Sequence, residues 1–126
     1  MTELMGPFNS GAAVGANGAA ISSQDSPVVL AGLVEAIYVK YNDAPPGTTK
    51  VTIKTKGANG AAPALTLFSL DNANTDGWFF PRAGIHSTAG ATIADLYDKV
   101  PIFDILNVEI NEANGGDHVD VWFLVS

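Results

Sequence analysis

The sequence predicts an all-β protein: an antiparallel β-sandwich or jelly roll with an extended N-terminal arm. Three observations carry this. From Pro27 onward, short runs rich in Val, Ile, Thr and aromatic residues alternate with clusters of Gly, Pro, Asn and Asp. No stretch repeats apolar residues at the spacing of an amphipathic helix, and no longer period recurs. The leading segment follows neither pattern, which divides the chain into an arm over residues 1–27 and a sandwich over 28–126.

Gly6 to Gln24 carries no charge, and Gly11 to Ala20 is almost entirely Gly and Ala. Such residues bury little area against a backbone entropy cost of roughly 1–2 kcal/mol each, and the glycines disfavour a helix. The segment is therefore expected to extend and to order on a surface supplied by another molecule. Val28 to Tyr41 follows as a long strand. Leu33, Glu35, Ile37, Val39 and Tyr41 share one face, with Val34, Ala36, Tyr38 and Lys40 on the other. Neither face is cleanly polar, so the strand should be covered on both sides or lie in a subunit contact.

Asn42 to Gly47 is a turn by its Pro and Gly content. Lys50, Thr52, Lys54 and Lys56 then alternate with Val51, Ile53 and Thr55, the pattern of a half-buried strand with a basic outer face. With Lys40, these lysines concentrate positive charge on two neighbouring strands. Gly57 to Pro63 reads as a loop, with Asn59-Gly60 suited to a tight turn. Ala64 to Leu70 is a strand and Asp71 to Gly77 a polar turn. The triplet Trp78-Phe79-Phe80 is stopped by Pro81. Residues 82–92 read as loop, and Thr92 to Lys99 as either a short strand or one helical turn. Pro101 to Asn111 is one strand with Ile102, Asp104, Leu106, Val108 and Ile110 on one face. After a loop, His118 to Val125 places Val119, Val121, Phe123 and Val125 inward. Seven or eight strands result.

Composition narrows the function classes. At 47% hydrophobic and 15% charged, most of the 126 residues should fold, as one domain. A net charge of −7 repels phosphate backbones and anionic lipid, so neither nucleic acid nor a membrane surface is an expected partner. No cysteine is present, which excludes disulfides, thiolate metal sites and a cysteine nucleophile. No run approaches the roughly 20 apolar residues of a membrane span, and the start lacks the pattern of a secretory signal.

Candidate chemistry is sparse. Asn72, Asn74, Asp76 and Gly77 partly imitate a calcium loop, but Ala83 stands where the bidentate acid belongs. The competing reading is a turn whose side chains bond its own backbone. His86 and His118 lack metal-ligand spacing, and there is no nucleophile elbow or phosphate-binding Gly-rich loop. Asp95, Asp98 and Asp104 fit a solvated rim better than a hydrolytic pair. The expectation is a non-enzyme without cofactor. Alternation sends Trp78 and Phe80 one way and Phe79 the other, and sets Trp122 opposite the inner residues of the last strand. Exposed aromatics of this kind anchor protein contacts or stack on sugars.

The Gly/Ala arm, Thr48 to Gly57, Thr75 to Arg82 and Gly116 to Val125 together resemble the small β-sandwich head decoration (cement) proteins of tailed bacteriophages. The resemblance implies a virion protein on the capsid exterior, made in the host cytoplasm. It would be a trimer or dimer that clamps the major capsid protein through an arm and sheet surfaces. Partner-binding residues are then expected at Phe8, Val14 and Ile21 in the arm, at Lys50, Lys54 and Lys56 on the basic face, and at Trp78 and Phe79. A carbohydrate-binding or host-adhesion module, or a tail subunit, is the alternative.

Overall fold

The computed structural model describes residues 2–43, 45–57 and 64–126. Most of the Gly57 to Pro63 loop, including Asn59-Gly60, lies outside the described residues. Among those described there are eleven strands and no helix: β1 (Glu3–Asn9), β2 (Ala20–Asp25), β3 (Leu30–Tyr41), β4 (Lys50–Thr55), β5 (Thr66–Leu70), β6 (Gly77–Phe79), β7 (Ala83–His86), β8 (Thr92–Asp98), β9 (Val100–Asp104), β10 (Leu106–Ala113) and β11 (Val119–Val125). They form an antiparallel β-sandwich. One sheet runs β1-β11-β3-β6, with β9 also on β3, and the other runs β2-β10-β4-β5. β7 and β8 pair with each other alone.

The core lies between the two sheets and follows the two-residue period of the strands. β4 buries Val51 and Ile53, β10 buries Leu106, Val108 and Ile110, and β11 buries Val119, Val121, Phe123 and Val125. Each of these side chains, fully withdrawn from water, contributes about 1.5–3 kcal/mol before chain entropy is counted. β3 supplies Leu30, Val34, Ile37, Val39 and Tyr41. Its predicted faces hold only from Ile37 onward. The register with β11 slips between Val34 and Ala36, so an extra residue is accommodated there. Val34 therefore points inward and Leu33 outward, the reverse of unbroken alternation.

The N-terminal segment is not an arm, and the division at residue 27 is not seen. β1 pairs with β11 and β2 with β10, so residues 3–25 supply an edge strand to each sheet. Backbone pairing compensates for the small side chains, and the few large ones, Met5 and Phe8, pack against the core. Ser10 fastens the connection. Its N–H donates to the Val119 carbonyl at 3.0 Å, and its Oγ accepts from the Val119 N–H at 3.1 Å. Ser10 and Val119 are both fully buried. Val14 and Ile21 bridge across the turn between β1 and β2.

Two further differences concern the second half of the chain. The expected single strand from Pro101 to Asn111 is two strands in different sheets, β9 and β10. The crossing at Ile105 is fixed by Asp104, whose carboxylate accepts from the N–H groups of Gly57 and Ile105, both at 2.7 Å. Ser26 fixes the matching crossing from β2 to β3, donating to the Val28 carbonyl at 2.7 Å and accepting from the Leu106 N–H at 3.1 Å. Residues 82–92 are also not simply loop, because Ala83–His86 is a strand paired with β8.

β6 and β9 lie along successive stretches of one strand. Gly77 to Phe79 pairs with Val39 to Ile37, and Val100 to Asp104 pairs with Val34 to Leu30, both antiparallel. Together they form one edge strand, interrupted opposite the β3 bulge by residues 80–99, which contain the β7–β8 hairpin.

Candidate functional site

The hairpin stands apart from the sandwich. Its turn is closed by the Ser87 N–H donating to the Ala91 carbonyl at 2.8 Å and the Gly90 N–H to the Ser87 carbonyl at 2.9 Å. Gly90, at φ 83°, supplies the left-handed residue that this turn needs. Every residue of β8 is exposed. The exposed residues include Ile85, Ile93, Leu96 at 49% and Tyr97 at 65%. An isolated two-stranded ribbon is marginal in water, and among the described residues this one gains no further strand from either sheet.

Its base, by contrast, is held. Arg82, on the leg entering the hairpin, donates from Nη1 to the Glu35 carbonyl at 3.1 Å. Lys99, on the returning leg, places Nζ 2.7 Å from Glu35 Oε1. Ser126 Oγ donates to the same oxygen at 2.9 Å. Glu35 sits in the β3 bulge, so the irregularity that disturbs the strand also aims one side chain at both legs. The Lys99 ammonium, and after it the Ser126 hydroxyl, hold the Glu35 carboxyl below its ordinary range.

The two outward faces of the sandwich differ in chemistry. On the β2-β10-β4-β5 sheet, Lys50 pairs with Asp71 at 3.4 Å, Lys54 with Glu109 at 3.9 Å and Lys56 with Asp25 at 3.4 Å. The expected basic face is therefore matched by acids from its own chain. Hydrogen bonding from Asn107, offset by partial burial and aided by Lys56, holds the Asp25 carboxyl below its ordinary range. Lys40 is not beside these lysines, because β3 and β4 belong to opposite sheets. The outward face of the β1-β11-β3-β6 sheet instead carries Tyr38, Trp78 and Trp122, with Leu4 beside them.

The expected partner-binding residues separate into three groups. Phe8 and Phe79 point inward: Phe8 packs on Phe123 at 5.7 Å between ring centroids and Phe79 on Phe68 at 4.9 Å, so both are core residues. Lys50, Lys54 and Lys56 are ion-paired as described. Val14 at 78%, Ile21 at 57% and Trp78 at 48% remain exposed. In the 71–77 turn, Asp76 accepts from the Tyr41 N–H at 2.8 Å and Asn74 donates to the Pro45 carbonyl at 3.0 Å. Asn72 stands apart at φ 50°. These side chains thus serve neighbouring backbone rather than one shared centre. Glu35, Ile85, Leu96 and Tyr97 were not among the expected site residues. In the sequence an acid stands two positions after each of the large aliphatic residues of β8, Asp95 after Ile93 and Asp98 after Leu96, so a two-residue period shows no apolar face that could have marked them.

No family model, curated protein or solved structure matches this chain. No helix among the described residues is long and apolar enough to cross a membrane.

Proposed function

We propose that this protein is a non-enzymatic structural subunit that docks on an assembled protein lattice, as a decoration protein does on a bacteriophage head. The hairpin is its docking element and the major capsid protein its partner. One observation carries the reading: the β7–β8 hairpin is braced at its base by Glu35, Arg82 and Lys99, yet among the described residues it pairs with no other strand and leaves Ile85, Ile93, Leu96 and Tyr97 exposed. A braced element with an uncovered apolar tip is pre-organised for a partner and loses little entropy on docking.

The strand order supports a jelly-roll reading of the sandwich, the architecture of many viral capsid domains. The pairings β1·β11, β2·β10, β3·β6 and β4·β5 nest as two interleaved Greek keys. The net charge of −7 favours mutual repulsion of undocked copies. A dimer or trimer would multiply the weak contact of each hairpin into firm attachment.

The test is removal of residues 82–98. Phe80, Pro81 and Lys99 then remain to join β6 to β9 across the bulge, so the edge strand stays continuous. The variant should keep its β-sheet circular dichroism and stop cosedimenting with purified capsid shells. Undiminished cosedimentation would refute the docking role of the hairpin.

A further inference from the structure

We infer that the outward face of the β1-β11-β3-β6 sheet holds a glycan-binding cleft, separate from the hairpin and independent of the docking reading. Its floor is one rung across three strands, with Trp122 opposite Tyr38 and Tyr38 opposite Trp78. Side chains on one rung of a pleated sheet stand side by side on the same face, which brings together three aromatics distant in sequence. Ring centroids are 5.1 Å apart for Tyr38–Trp78 and 5.7 Å for Tyr38–Trp122, with planes tilted by 53° and 58°. With Leu4 and Lys40 these rings line an open cleft of about 320 Å³. That is at the lower end of the roughly 300–1,000 Å³ typical of small-ligand sites.

The chemistry beside the rings selects the ligand. The next polar rung places Asn9 opposite Asp120 and Asp120 opposite Lys40. Asn9 Nδ2 donates to Asp120 Oδ1 at 2.8 Å, which orients the carboxylate. Lys40 makes no ion pair among the described residues. An aromatic rung is thus bordered by a fixed acceptor and an available donor. A pyranose uses both at once, because its C–H face lies on aromatic rings while its equatorial hydroxyls reach sideways to carboxylate and ammonium. A purely apolar peptide side chain would leave the polar rung desolvated without a partner. The tilted rings form a notch rather than a plane, so the ligand is a single soluble chain and not a crystalline polysaccharide surface. The net charge of −7 disfavours anionic polysaccharides, leaving neutral hexopyranose chains.

The test uses the intact protein titrated with cellohexaose and chitohexaose up to about 10 mM, the weak-binding range expected of a shallow open site. Both tryptophans of the chain lie in the rung, so tryptophan emission, excited selectively over tyrosine, reports on the cleft. At least one oligosaccharide should produce a saturable emission change. Trp78→Ala should weaken it about tenfold or more. Asp120→Ala, which leaves every ring in place, should also weaken it measurably, and it decides the matter if Trp78→Ala does not fold. No saturable change with either oligosaccharide, or unchanged affinity in both variants, overturns the inference. So does a Trp78→Ala variant that loses shell binding while the wild type ignores both sugars, because the cleft is then a protein contact.

Discussion

Ser10→Ala tests whether the leading segment belongs to the body of the protein in solution. The hydroxyl removed is the acceptor for the Val119 N–H at 3.1 Å, in a place where both residues are fully buried. Alanine provides no replacement acceptor, so the amide is left without its partner. A buried donor stripped of its acceptor costs about 1–3 kcal/mol. For a domain of this size, 2 kcal/mol corresponds to a fall in Tm of roughly 8 °C. The measurement is thermal or urea unfolding followed by circular dichroism, with amide exchange of Val119 as the local readout. Ser23→Ala, at an exposed position on β2, serves as the control and should change stability by less than about 0.5 kcal/mol. If Ser10→Ala is as silent as that control, the segment is not docked on β11 and its assignment as edge strands is wrong.

Two more outcomes follow from titrating groups. The Glu35 carboxyl is held below its ordinary value of 4.5 by Lys99 and Ser126, so its contact is complete above that value and is lost as pH falls through the lowered one. Protection of the hairpin-base amides, taken relative to their intrinsic exchange rate at each pH, should therefore fall on acidification, and Glu35→Gln should show the lower protection already at neutral pH with no further acid response. An equal acid response in Glu35→Gln would refute the clamp. Burial, with the nearby Asp76 charge second, pushes the Tyr41 hydroxyl up to about 12. Its contribution is thus intact below 10 and is lost as pH rises from 10 through about 12. That hydroxyl has no hydrogen-bond partner among the described residues, so Tyr41→Phe should be neutral or stabilising by up to about 1 kcal/mol. A loss above about 1 kcal/mol in urea unfolding would show a missing partner.

Where a strand ran straight, its alternation was legible in the sequence. Val51 and Ile53, and Val119, Val121, Phe123 and Val125, point inward as their two-residue period requires. The reading failed where geometry changed without interrupting that period. Ile102 to Ile110 alternates without a break through the crossing at Ile105, so nothing in the pattern separates β9 from β10. At Glu35 the opposite holds: one extra residue shifts the phase, and strict alternation assigned Leu33 to the wrong face. Residues 6–24 lacked the side-chain area of a strand, but an edge strand is held largely by backbone hydrogen bonds, which composition does not reveal. Of the candidate site, the outward Trp78 was legible. The neutralisation of Lys54 and Lys56 was not, because Glu109 and Asp25 reach them only through sheet pairing.

The interrupted edge strand has a consequence for how the fold tolerates change. Because β6 and β9 are each anchored to β3, the segment between them begins and ends at fixed points a short distance apart. Enlarging such an excursion costs only about 0.6 kcal/mol per doubling of its length. The gap therefore acts as a socket: a longer ribbon, a small domain or a peptide tag can replace the native insert while the sandwich beneath keeps its register.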